Sequence, residues 1–195
     1  MTKEVVFISD FFLNEVRGGA EFCNEALIAL LKNQYTVQRT KSIAATPSFI
    51  NENKDSFFIV ANFFQLSEQS KVALAGCRYA IFEHDHKYIQ SNNPILWTNF
   101  LAPESQIINK EFFRNAVTTI CQSNMHAQIL QKNLFLNNVT SFGGNIWTDR
   151  QLLTLKKNMN VEKVHDNAVL RSNNKNKGTP AAVEFCRQNN LEYHC

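Results

Sequence analysis

No apolar run in this 195-residue sequence approaches the ~20 residues needed to cross a bilayer. The first such run, Val5 to Ile8, is also too short for the hydrophobic region of a signal peptide. A cytoplasmic protein is expected, with peripheral contact as its closest approach to a membrane. Like charges never gather into a block, and 20 Lys and Arg stand against 17 Asp and Glu. Without a basic-aromatic stripe, nucleic acid is not an expected partner. Cysteine is sparse and scattered: Cys23, Cys77, Cys121, Cys186 and Cys195 are odd in number and contain no C-x-x-C pair. That usage fits reduced, mostly buried thiols and neither a disulfide frame nor a zinc site. The first turn has no G-x-G-x-x-G and no serine sits in G-x-S-x-G, which removes the usual signatures of dinucleotide binding and of the α/β-hydrolase nucleophile.

What the sequence does have is alternation. Apolar, strand-length runs fall at 5–8, 57–61, 79–82, 117–121 and 168–170, continuous in the manner of buried parallel strands. Helical patterns lie between and after them at 20–32, 67–75, 104–114, 124–134, 149–157 and 179–188. Ser67 and Ser123 stand where a hydroxyl would cap the following helix. The alternation predicts an α/β fold, a Rossmann-like doubly wound parallel sheet with right-handed crossovers. Residues 1–157 form its first domain, 158–167 read as a polar linker, and 168–195 hold the start of a second Rossmann-like domain. So few elements cannot bury a core of their own.

Three groups of residues are candidates for chemistry. Gly18 and Gly19, preceded by Arg17, stand between the first strand and a long helix, where close backbone approach and free N–H groups favour a phosphate or carboxylate. Glu83, His84, Asp85 and His86 follow an apolar strand and so belong at the carboxyl edge of the sheet, where open α/β folds bind ligands. This acid-imidazole set can hydrogen-bond sugar hydroxyls or handle a proton. The His-x-His spacing also invites a metal, but no further ligand is identifiable and neighbouring side chains on a strand point to opposite faces, so none is expected. Asn145, after Gly143 and Gly144, is placed in a turn where it could touch a ligand. Trp97 and Trp147 read as core residues, and His126 as a surface or capping group.

Four stretches, in this order, resemble the N-terminal half of a retaining glycosyltransferase of the GT-B fold. They are Phe7-Ile-Ser-Asp10 with Gly18-Gly-Ala-Glu21, Tyr79-Ala-Ile-Phe-Glu-His-Asp-His86, Ile120-Cys-Gln-Ser-Asn-Met-His126, and Arg171 with Lys177-Gly178. The resemblance spans nearly the whole sequence. It implies an acceptor-side domain facing a donor-binding domain, and hexosyl transfer from a nucleotide-sugar to a glycan or lipid-linked acceptor without a metal or other cofactor. Similar enzymes carry a sugar-contacting histidine after this strand, which makes His84 the candidate catalytic residue and His86 the second choice. By the same resemblance, Gly18, Gly19, Arg171 and Lys177 would bind the donor diphosphate, whose growing charge fixed cations stabilise. Glu83, Asp85, His86 and Asn145 would line the acceptor sugar. Most of a donor domain, with its glutamate motif, has no counterpart here, so this chain alone is expected not to complete transfer. The alternative is a non-catalytic sugar- or nucleotide-binding module with the same Rossmann-like unit.

Overall fold

A computed structural model describes residues 4–173 and 177–195 of the protein. Six parallel strands form one sheet: β1 (Glu4–Ser9), β2 (Thr36–Lys41), β3 (Phe57–Val60), β4 (Arg78–Glu83), β5 (Thr118–Cys121) and β6 (Val139–Ser141). Their spatial order is β2-β1-β3-β4-β5-β6. The helices joining them are α1 (Gly19–Leu31), α2 (Pro47–Glu52), α3 (Glu68–Leu74), α4 (Lys110–Asn115) and α5 (Asn124–Leu134). The fold is the Rossmann-like α/β architecture that the alternation of apolar runs predicts.

The handedness of the crossovers fixes where each helix lies. From β1 to β2 the chain steps one way along the sheet, and from β2 onward it steps the other way, so right-handed connections put α1 on one face and α2 to α5 on the other. The packing agrees. Val5, Phe7, Ile59 and Phe82 pack with Cys23, Leu27 and Ile28 of α1. Alternate residues Val6, Ile8, Phe58, Val60 and Ile81 pack with Ile50, Leu74, Phe113 and Leu130 from the other four helices. Because both faces of β1 and β3 are buried, these strands are apolar throughout and show no alternation. The reversal of winding between β1 and β3 opens a crevice at their carboxyl ends, which is the general ligand position in such sheets.

Departures from the sequence reading have local causes. β2 is a polar edge strand, Thr36-Val-Gln-Arg-Thr-Lys, with mostly exposed residues, so no apolar run announces it. Helix α2 is a single short segment capped by Thr46, whose hydroxyl accepts the N–H of Phe49, with Pro47 in its first turn. The helix expected over 104–114 is broken. Residues Glu104–Gln106 form one 3-10 turn, Asn109 takes a left-handed φ of 57°, and α4 starts only at Lys110. Ser67 and Ser123 do cap α3 and α5, accepting the N–H groups of Ser70 and His126 at 3.1 Å each.

The chain divides into two compact units, Met1–Thr148 and Asp149–Cys195. The second holds α6 (Asp149–Asn158) and α7 (Thr179–Gln188). The strand read at 168–170 is reduced there to an isolated parallel bridge between Ala168 and His194. The bridge carries hydrogen bonds from Val169 N to His194 O and from His194 N to Asn167 O, and the rings of His165 and His194 stack at 4.4 Å.

Candidate functional site

The carboxyl edge of the sheet concentrates the buried polar side chains of the first unit. Ser9, Asp10, Asn62 and Glu83 lie at or just beyond the ends of β1, β3 and β4, and Glu21 and Asn24 face them from α1. Buried polar groups at this density need partners. Most are found within the cluster.

His84 is the centre of one network. Its Nε2 lies 2.9 Å from Asn24 Oδ1 and its Nδ1 lies 2.9 Å from Gln122 Nε2. The amide NH2 of Gln122 donates to Nδ1, so the proton sits on Nε2 and is donated to Asn24, whose own NH2 reaches Ser9 Oγ at 3.3 Å. Burial, reinforced by the charge of Lys87, pulls the His84 imidazole down to about 4. The ring is therefore neutral at pH 7, and both of its nitrogens are committed. A sugar would reach it only by displacing Asn24 or Gln122.

Glu83 organises the turn that follows β4. Its Oε1 accepts the N–H groups of Asp85 at 2.8 Å and Lys87 at 3.2 Å, and it faces Lys87 Nζ at 3.3 Å. Burial alone would raise this carboxyl. The Lys87 charge, the neighbouring His126 and the two N–H bonds outweigh it and hold the group below the usual carboxylate range. Asp85, half exposed, shares Lys87 Nζ at 3.3 Å, and the ammonium also lies over the rings of Phe63 and Phe64. Glu83 is fully buried, so its visible role is to hold the turn that presents its neighbours.

His86 takes a left-handed φ of 55°. Its Nδ1 bonds Tyr88 Oη at 2.8 Å, and its ring lies 4.0 Å from that of His126 on α5. Burial and the neighbouring His126 bring His86 down to about 4, and burial lowers His126 as well. Three buried atoms of this edge have no hydrogen-bond partner: Asn62 Oδ1, Glu83 Oε2 and His126 Nε2. A pocket of about 370 Å³ opens beside the two imidazoles, lined by His86, His126, Asn93, Ile95, Phe100 and Met125 among others.

The glycine pair has a different setting. Gly18 caps α1, and a Cβ there would run into Glu21 Oε2, while one on Gly19 would meet open space. Glu21 is buried and accepts Asn62 Nδ2 at 3.2 Å. The favourable end of the helix dipole thus already has a carboxylate beside it. Asp10 accepts the N–H groups of Phe64 at 2.9 Å and Gln65 at 3.0 Å, latching the loop after β3.

Arg17 and Asn145 are exposed, as are Arg171 and Lys177 in the second unit. The structure thus brings Glu83, His84, Asp85 and His86 together in one turn, joined by Asn24, Gln122 and His126. Sequence reasoning passed over Asn24 and Gln122 because nothing local marks an amide whose partner lies dozens of residues away. Lys87 carried no such signal either, because its pairing with Glu83 is made by the turn after β4 and not by a helical face. Among the described residues, no group of three or more His, Cys, Asp and Glu could hold a metal ion. Among the described residues, likewise, no helix is long and apolar enough to cross a membrane. Compared with models of known protein families and with curated proteins, the sequence matches none.

Proposed function

We propose that this chain is the acceptor-side half of a GT-B-type glycosyltransferase, which handles a glycan or lipid-linked sugar at the carboxyl edge of its sheet while a nucleotide-sugar supplies the hexosyl group. The fold alone does not carry this reading, because Rossmann-like sheets serve many chemistries. One observation supports it best: Asn24, His84 and Gln122 form a chain of neutral hydrogen-bonding groups beside the neutral imidazoles of His86 and His126. Neutral amides and imidazoles both donate and accept, as hydroxyls do, and they hold a ligand by direction without requiring it to carry charge.

Within this reading His84 is held too firmly to swing onto a substrate, and it acts by fixing the wall of the site. The glycine pair contributes less than the resemblance implies, since a phosphate there would meet the Glu21 carboxylate. Arg171 and Lys177 remain the groups proposed for the donor diphosphate.

The test is nucleoside diphosphate release from a panel of nucleotide-sugars, with and without glycan acceptors, by this chain joined to a complete donor-binding domain, run beside direct sugar binding. Acceptor-dependent release that falls when Lys177 is replaced by alanine supports the transferase. Sugar binding without release favours the non-catalytic module. Neither binding nor release would overturn both.

A further inference from the structure

His84 has no ring nitrogen to spare, whereas the two other imidazoles of this edge do. His86 uses Nδ1 on Tyr88 and leaves Nε2, and His126, only 8% exposed, has an Nε2 that meets no partner. The His126 Nε2 has no accessible surface and faces protein, so the imidazole nitrogen that a ligand can reach is Nε2 of His86. Both rings line the same pocket of about 370 Å³. That volume is at the small end of the ~300–1,000 Å³ typical of ligand sites, suited to a single sugar ring.

The rest of the lining divides by chemistry. Asn93 adds an amide to the polar side, with its Oδ1 fixed by the N–H of Ile95 at 3.2 Å. Ile95, Phe100 and Met125 supply apolar surface, and Ile95 and Met125 are largely exposed with nothing packed over them. A hexopyranose has the matching division, with C–H groups on its faces and hydroxyls around its rim. A hydrocarbon ring would leave the imidazole and amide groups of the lining without partners.

We infer that the pocket between the His86 turn and the first turn of α5 is a hexopyranose subsite, in which His86 and Asn93 bond the hydroxyls, the His126 ring forms the wall behind His86, and Ile95, Phe100 and Met125 cover a face of the sugar. The inference rests on the sugar-handling reading above and narrows it to one cavity. His84 is a positioning residue for this subsite and not a contact.

The experiment titrates the full 195-residue chain with methyl glycosides of glucose, galactose, mannose and N-acetylglucosamine. Each is taken to about 10 mM, ten times a millimolar Kd. Long-range proton–nitrogen correlation spectra of the imidazoles give the readout. The expected result is that at least one glycoside moves the ring nitrogens of His86 and leaves those of His84 in place. Met125→Glu, at an exposed position that does not threaten folding, is expected to weaken that glycoside at least tenfold, and His86→Ala likewise. A glycoside that binds but does not move the His86 ring nitrogens, or binds Met125→Glu as tightly, would overturn the subsite and leave the sugar reading standing. No binding by any glycoside would overturn both.

Discussion

Removing the ammonium of Lys87 should be among the most damaging single changes at the sheet edge. Its side chain is 1% exposed and its partner Glu83 is 0% exposed, with Nζ 3.3 Å from Oε1. Lys87→Met keeps the length and apolar body of the side chain but leaves the Glu83 carboxylate with only the N–H groups of Asp85 and Lys87 on one oxygen and none on the other. Breaking a buried pair on one side costs about 3–5 kcal/mol, because a charge stays buried without compensation. The Asp85 contact at 3.3 Å adds little, since that carboxylate is 50% exposed and well screened. Urea unfolding at pH 7 measures the loss. The double variant Glu83→Gln, Lys87→Met should recover a large part of it, giving a coupling energy of about 1–3 kcal/mol. Lowering the pH toward 5 should also shrink the deficit of the single variant, because a Glu83 without its cation protonates readily. A loss below about 0.5 kcal/mol, the range of an ordinary surface change, would refute the reasoning.

Acid should destabilise the native protein through the same edge. His84 and His86 are both brought down to about 4 in the folded state, against about 6.5 unfolded. The unfolded chain therefore binds more protons between these values, so stability is full above pH 6.5 and falls as the pH drops toward 4; a melting temperature independent of pH in that window would count against the buried, neutral rings. The two glycines should separate. Gly18→Ala should cost about 1–2 kcal/mol by disturbing the Glu21 contact with Asn62, whereas Gly19→Ala, which meets open space, should be neutral or stabilise by about 0.4–1 kcal/mol, both read by chemical denaturation. Asp10→Ala should cost about 2–3 kcal/mol by releasing the N–H groups of Phe64 and Gln65 from a charged acceptor, and faster amide exchange at those two positions would report the freed loop.

The parts of the fold that were legible in the sequence are those whose burial is complete. β1, β3 and β4 carry apolar residues on both faces, so continuous runs such as Val5 to Ile8 mark them without ambiguity. β2 is an edge strand that buries little more than Thr40, and its residues carry no such mark. The interrupted stretch before α4 depends on the left-handed backbone at Asn109 and on the bond from its amide to Lys87 O at 2.8 Å, a tertiary contact that no local pattern encodes. In the site, the order Glu-His-Asp-His after β4 was enough to place four polar residues at the carboxyl edge. It could not reveal that Asn24 and Gln122 occupy both nitrogens of His84, nor that His126, read as a surface or capping group, is buried with an unpaired nitrogen. Those facts arise from helices that meet the edge from distant parts of the chain.

The proposed function requires that ligand bind at the carboxyl edge beside β4 and β5. The larger groove of about 830 Å³ at the opposite end of the sheet, lined by Leu31, Tyr35, Phe57 and Arg78 among others, is the competing location. Backbone amide shift mapping during a titration with whichever glycoside binds distinguishes the two directly. The largest shifts are expected at residues 84–87, 93–95 and 122–126. Shifts gathered instead at Leu31, Tyr35, Phe57 and Arg78 would contradict the proposed function.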